Sequence, residues 1–392
     1  MSKPIQILHA VPGIGRGGGV KSWLMHVLRH IDRERFQFTF LVHQARTSDP
    51  HDYEDEMRAL GARVLHLQLP LPNPPGYIRA TERIIREGGP FDIVHAHGFL
   101  ILGVPLRAAA RAGVPLRVAH SHNAPAGVAW AAQGALLSSI STRWVRRYMT
   151  HGLGCSQAAC AALFGREWRQ LSQVLHIGVE WGAFQQPVDS AAVRAELGIP
   201  PQARVFGHVG RFDPQKNHAF WVEVASRIAE QDADARFLLV GDGPLRPKIE
   251  QALRQRGLAQ RCVFTGVRPD VPRLMQAMDC FLFPSAYEGL PITLLEAQAV
   301  GLPCLASDRI TAESTVVPQL VRYMSLRTPP AQWAQAALAM ASQHPRAAEH
   351  AAAWRAVADS TFSIARSVEA LSTFYRDIAA QGALAQRSLA AA

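Results

Sequence analysis

Apolar runs of strand length recur along this chain, and each is followed by a loop and then by apolar residues at helical spacing. Residues 5–11 form the first such run. A glycine loop follows, and then Trp23, Leu24, Val27, Leu28 and Ile31 repeat at the helical period. Strands are predicted again at 37–43, 63–67, 91–95, 116–120, 151–155 and 174–179, with helices at 77–86, 100–112 and 156–163 between them. Residues 185–202 hold Pro187, Pro200 and Pro201 and lose strand character, so they read as a linker. The alternation then resumes with strands at 205–209, 236–240, 262–265 and 280–283, helices at 218–229 and 244–256, and Asp270 as the expected cap of a helix to 278. Strands alternating with helices imply parallel sheets covered on both faces, with ligands beyond the carboxyl ends of the strands. From residue 333 the chain is alanine-rich and helical, and fraying is expected after Gly382.

The stretch 283–308 carries the sharpest chemistry. It reads as strand end, tight loop, helix and strand, with the helix starting near Pro291 and stopping near Gly301. Glu288 falls on the loop and Glu296 one turn into the helix, with seven residues between them. A helix start attracts anions, so two acids beside it suit hydroxyls flanking a phosphate better than the phosphate itself. Arg211 and Lys216 share a loop past another strand end and suggest a pyrophosphate clamp. Histidines mark several strand ends: His43, His95, His97, His120 and His122. The loop at Gly13, Gly15 and Gly18 fits G-x-G-x-x-G. The second strand ends without the acid that a dinucleotide ribose needs, which argues against hydride transfer.

Totals narrow the picture. A length of 392 residues predicts two domains, and no apolar run is long enough to span a membrane. Nor does the N-terminus read as a signal peptide. The five cysteines show no zinc-type spacing and are expected as buried thiols in a reducing cytoplasm. Residues 1–185 hold 20 Lys and Arg against 12 Asp and Glu, and the rest 21 against 19, so the excess of +10 lies mostly in the first half. An anionic substrate or membrane face would suit it. The scattered arginines, with no aromatic-interleaved basic motif, do not suit nucleic acid. Arg143, Arg146 and Arg147 on one helix are the candidate for peripheral membrane contact. Asp232-Ala-Asp234 lies between a helix end and a strand start, the wrong sheet edge for a metal site.

Taken together, the glutamate pair around Gly289-Leu290-Pro291, Gly210-Arg211 with Lys216, Gly241-Asp242-Gly243 and the 92–97 segment resemble retaining glycosyltransferases of family 4, also called group 1. The resemblance covers almost the whole chain. It implies an α/β GT-B fold: two Rossmann-like domains with parallel sheets facing a central cleft. The expected division is an acceptor domain at 1–185, a nucleotide-sugar donor domain at 186–360, and a helix at 361–392 crossing back. The implied reaction moves a sugar from a nucleotide-diphosphate sugar (UDP- or GDP-linked) to an acceptor hydroxyl with retention, without metal or other cofactor, in cytoplasmic assembly of surface polysaccharide. The acceptor would be a glycan or a lipid-linked sugar.

By the same resemblance Arg211 and Lys216 neutralise the diphosphate, Glu288 contacts sugar hydroxyls and Glu296 holds the ribose. Gly18 and Gly19 approach the phosphates, His120 touches the sugar, and Gly266, Val267 and Arg268 meet the base. Gly210, Gly241 and Gly289 shape the donor site. Pro291 departs from the family pattern and removes one N–H, which leaves Leu290, Ile292 and Thr293 to supply contacts. A nucleotide-sugar epimerase of the same fold, a binding protein without turnover and an NAD-dependent oxidoreductase are the alternatives.

Overall fold

The computed structural model describes residues 3–14, 19–42, 53–67, 74–98, 102–123, 131–343 and 346–391. The chain divides into two compact units, Met1–Val179 with Thr361–Ala392, and Glu180–Ser360.

The first unit is a seven-stranded parallel sheet. Its strands are β1 (Ile5–Val11), β2 (Phe36–Val42), β3 (Arg63–His66), β4 (Ile93–His97), β5 (Leu116–Ser121), β6 (His151–Gly154) and β7 (Ser172–Val174). They lie in the order β3-β2-β1-β4-β5-β6-β7. Order reverses between β1 and β4, which opens a crevice at their carboxyl ends. Both strands are buried along most of their length, as sheets covered on both faces require.

A strand over 174–179 does not form. The sheet ends at Val174, and the backbone then leaves it to meet the last helix, Ile364–Ala391. The Val179 N–H donates to the Phe362 carbonyl (2.9 Å), and the Ile364 N–H donates to the Val179 carbonyl (3.0 Å). Gly178 permits the approach, since a Cβ there would lie 2.5 Å from Ser367 Cβ. This contact puts the division after Val179, a few residues ahead of 185. It also brings the 361–392 segment into the first unit. The last helix continues to Ala391, past the expected fraying point at Gly382.

The second unit is a six-stranded parallel sheet. Its strands are β8 (Val205–Val209), β9 (Arg236–Val240), β10 (Cys262–Gly266), β11 (Cys280–Phe283), β12 (Cys304–Ser307) and β13 (Val321–Met324). The order β10-β9-β8-β11-β12-β13 again reverses once, between β8 and β11. Phe206, Phe237, Leu239 and Leu282 from the sheet pack with Trp221, Ile228 and Trp333 from the helices. Strand β13 was not anticipated: Val321–Met324 alternates too briefly to stand out, and only pairing with β12 defines it.

Two local expectations change. Asp270 precedes the helix Val271–Met275 without capping it, because its carboxylate binds the Arg268 guanidinium at 2.7 Å through both oxygens. The 283–308 helix runs Ile292–Ala299, with Pro291 just outside it. It stops as expected: Gly301 has φ 69°, and the Leu302 N–H reaches back to the Ala297 carbonyl (3.0 Å). Buried Gln298 fixes this helix. Its amide donates to the Leu294 and Ser314 carbonyls, and its carbonyl accepts from the Val316 and Val317 N–H groups, so every polar site is satisfied. No described helix is long and apolar enough to cross a membrane.

Candidate active site

In the second unit the functional side chains gather where β8 and β11 part. After β8, Asp213 caps the short turn Pro214–Lys216, and Asn217 takes the left-handed conformation (φ 53°), which short polar side chains tolerate. That turn aims Lys216 at the loop after β11. The Lys216 Nζ donates to Glu288 Oε1 (2.8 Å), and the Gln215 Nε2 donates to Glu288 Oε2 (2.7 Å). The Ala286 N–H donates to the Gln215 carbonyl (2.8 Å), clamping the two loops. Nζ also lies 4.7 Å from the centre of the Phe283 ring. Both partners are largely buried, at 13% and 6% side-chain exposure, so the pair is held rather than solvated. Arg211, by contrast, is exposed and makes no ion pair among the described residues.

Glycines bring a third loop in. Gly210 follows β8, and its N–H donates to the Val240 carbonyl (3.0 Å). Gly241 has φ 127°, and a Cβ there would strike the Gly210 carbonyl oxygen. The Gly241 N–H donates to the Gly266 carbonyl (2.8 Å), joining the ends of β9 and β10. Val267 beyond is 76% exposed, an apolar surface suited to a flat ring. Arg268 is less available, since it pairs with Asp270 and with Glu196 (3.4 Å).

At the helix start Gly289 and Leu290 form the bend, and Leu290 is buried. The Ile292 N–H is taken by the Leu290 carbonyl (3.0 Å), so it is not the free donor that the sequence suggested. Thr293 Oγ1 and Ser285 Oγ are buried without a hydrogen-bond partner. Glu296, one turn in, keeps part of its surface, yet desolvation pushes its carboxyl up to about 7 against the pull of nearby Lys216.

Gln215, His208 and His218 were missed. The His208 Nδ1–H donates to the Leu282 carbonyl (2.9 Å), leaving Nε2 without a partner beside Gly210. Desolvation and nearby Lys216 hold His218 down at about 4. Gln215 could have been noticed as the neighbour of Lys216. A histidine inside a buried strand gives no such signal.

In the first unit Gly19 opens the helix Gly19–His30. Gly18 and His43 lie outside the described residues. His120 lies near the carboxyl end of β5 and is not alone there. His9, which the sequence did not single out, pairs in register with His95, and His97 with His120. With His122 they form five buried imidazoles. Desolvation holds His9 and His122 down at about 3 and the other three well below the ordinary range, so all are neutral. Trp23 closes over them, its ring 5.5 Å from that of His120. Two triads, His9-His95-His97 and His97-His120-His122, bring ring nitrogens within 4.8 Å of one another. Both nitrogens of His97 are hydrogen-bonded to other histidines, so it has none left for a metal ion. Asp232, the first acid of the Asp-x-Asp, pairs with Arg204 (2.6 Å) and caps the Asp234 N–H.

Two parallel Rossmann-like sheets, each with polar side chains at its switch point, fit the GT-B class of glycosyltransferases, and the comparisons agree. The glycosyl transferase 4-like domain matches residues 18–177, and the glycosyl transferases group 1 domain matches residues 203–343. The protein named "Putative glycosyltransferase EpsF" of Bacillus subtilis (strain 168) is 36% identical over 349 residues, which is 87% of this chain and 89% of EpsF. An Escherichia coli UDP-Gal:alpha-D-GlcNAc-diphosphoundecaprenol alpha-1,3-galactosyltransferase is 35% identical over 139 residues, 34% of this chain and 36% of that one. The structure of HepE from Anabaena in complex with UDP and glucose overlays 95% of this chain and 100% of its own with TM-score 0.77, at 18% identity. The chain belongs to the group 1, family 4-like glycosyltransferases. It is a glycosyltransferase, which sets aside the epimerase and oxidoreductase readings.

Proposed function

We propose that this enzyme moves a hexose from a UDP- or GDP-sugar to a glycan or lipid-linked acceptor during surface polysaccharide assembly, with retention and without a metal ion. The observation that carries the reading is the Lys216–Glu288–Gln215 cluster at the β8/β11 switch point, with exposed Arg211 on the same loop. The E. coli relative's UDP-Gal donor and diphosphoundecaprenol acceptor, and the UDP and glucose bound by HepE, support this donor and acceptor chemistry.

In this reading the barrier lies in charge growing on the departing diphosphate. Arg211 and Lys216 meet it with fixed cations, and Glu288 keeps the ammonium in place. Each Glu288 oxygen accepts one bond and has a lone pair left, so the same carboxylate can accept from sugar hydroxyls. Glu296 takes the ribose, and Gly266 with exposed Val267 meets the base. Gly18, Gly19, Gly210, Gly241, Gly289, Leu290 and Thr293 contribute backbone or short side-chain contacts, and His120 contacts a sugar hydroxyl. The two domains take the acceptor and donor roles in chain order. We place the enzyme in the cytoplasm at the inner membrane face, where exposed Arg143, Arg146 and Arg147 suit anionic headgroups.

Thermal-shift screening against UDP-, GDP- and ADP-sugars selects the donor, and a ligand at about 100 times its Kd raises stability by roughly 2.7 kcal/mol. With that donor, Arg211→Ala is expected to lower kcat on the order of 10²–10³-fold without loss of stability. Activity in excess EDTA is expected to be unchanged, and the product anomer should match the donor's by NMR. An inverted product, an EDTA-sensitive rate or a fully active Arg211→Ala variant would each remove the corresponding part of the proposal.

A further inference from the structure

The five buried histidines of the first unit are joined in one line. His122 Nε2 lies 3.0 Å from His97 Nδ1, and His97 Nε2 lies 2.9 Å from His9 Nδ1. His9 Nε2 faces the Tyr375 hydroxyl at 3.5 Å, and that hydroxyl lies 2.6 Å from His95 Nδ1. His95 Nε2 then lies 3.1 Å from His120 Nδ1. Every histidine link joins an Nε2 to an Nδ1. The two remaining ring nitrogens, His120 Nε2 and His122 Nδ1, are the ends of the line, and both are buried without a partner. Their rings are neighbours, with centroids 4.0 Å apart.

A neutral imidazole has one N–H and one bare nitrogen. In a head-to-tail line that leaves two arrangements: all five rings carry the proton on Nε2, or all five carry it on Nδ1. In either case the two ends have opposite character, one a donor and the other an acceptor. Tyr375 has a single hydroxyl proton and chooses between them. Its 2.6 Å approach to His95 Nδ1 is the length of an O–H donor, whereas its distance to His9 is long. The hydroxyl therefore donates to His95, the His95 Nε2–H donates to His120, and the His120 Nε2–H is left without an acceptor. On the other side the His9 Nε2–H faces the hydroxyl oxygen, the His97 Nε2–H donates to His9, and the His122 Nε2–H donates to His97. His122 Nδ1 is left bare.

We propose that this relay makes His120 Nε2–H and His122 Nδ1 a matched donor–acceptor pair that binds one hydroxyl group, with Tyr375, His95, His9 and His97 as positioning residues that set its polarity. A hydroxyl is the smallest group that accepts one hydrogen bond and donates another, as the pair demands. A phosphate oxygen would meet a bare lone pair at His122, and a metal ion would meet an N–H at His120. Assigning the hydroxyl to the donor sugar rests on the glycosyltransferase reading above, but the shared tautomer does not.

The test is ¹⁵N–¹H correlation of the histidine rings in the full chain, with His120→Asn and His122→Asn for assignment. All five rings should show a protonated Nε2 and a bare Nδ1 at pH 7. A single Nδ1–H tautomer or an imidazolium among them overturns the relay, whatever the enzyme's donor. Tyr375→Phe should split His95 and His120 into mixed tautomers, while the wild-type spectrum stands as evidence even if that variant does not fold. UDP-glucose and GDP-mannose are then compared with UDP and GDP. One of the sugar nucleotides should move His120 Nε2 and His122 Nδ1 while the bare diphosphates leave them in place. Equal shifts with UDP or GDP, or none with any probe, overturns the hydroxyl assignment. Shifts of His97, His120 and His122 on adding one equivalent of zinc chloride would establish a metal centre instead.

Discussion

The two switch points solve the same problem with opposite electrostatics. In the second unit a cation and an anion are held together under cover, Lys216 against Glu288, with Gln215 taking the second carboxylate oxygen. In the first unit five groups that could each carry a charge are kept neutral by burial and bonded to one another. In the proposed function the charged site, with exposed Arg211 beside the pair, meets a phosphate-bearing ligand. A neutral site presents only hydrogen-bond polarity and suits a hydroxyl. The difference follows from the residue types: an ammonium and a carboxylate offset each other's desolvation, whereas imidazoles escape it by giving up the proton.

Breaking the charged side should cost most. Lys216→Ala leaves Glu288 buried without its cation and is expected to destabilise the protein by about 3–5 kcal/mol in urea unfolding, with transfer lost. Lys216→Met with Glu288→Leu should recover most of that stability and none of the activity. Recovery of both would mean that the pair is structural only.

Acid should break the neutral side next. The folded pKa of His9 and of His122 lies at about 3, so between that value and about 6.5 the unfolded chain binds more protons than the folded one. Stability is then full above about 6.5 and falls with pH, by about 1.4 kcal/mol per pH unit for each such ring. His208 and His218 act in the same direction in the second unit. The comparison therefore uses His122→Gln, which should flatten the slope measured by denaturation between pH 6 and pH 4; an unchanged slope would mean that His122 is charged in the fold.

The smallest effect separates burial from pairing within the second unit. Glu296 has its pKa raised to about 7, so the folded state holds its proton longer and stability declines as pH rises from about 4.5 to about 7. Glu296→Gln should raise the melting temperature at pH 8 and leave it unchanged at pH 4. Equal shifts at both values would show that this carboxylate is not desolvated.

Much of this was legible in the chain. The strand and helix alternation, the helix stop at Gly301 and the placement of Glu288 and Glu296 on either side of a helix start follow from local periodicity and glycine chemistry. The loop that bears Arg211 and Lys216 was equally visible. Less so was what touches what. Glu288 and Lys216 read as separate tools, one for hydroxyls and one for phosphate, and the fold makes them partners. The 174–179 run looked like a strand because it is apolar, but beyond Val174 its end pairs through Val179 with Phe362 and Ile364 at the start of the last helix instead of extending the sheet.

Sequence alone determined the elements and the kinds of chemistry at the strand ends, because backbone propensity and side-chain period act over a few residues. Tertiary structure decided how those groups combine. His9 becomes part of a site only when β1 pairs with β4 in a register that sets it beside His95. Tyr375 lies on the last helix, and its hydroxyl reaches His95 only once the chain returns to the first unit. Such contacts join residues far apart in the chain, so no local pattern records them, and the polarity of the whole histidine line turns on one of them.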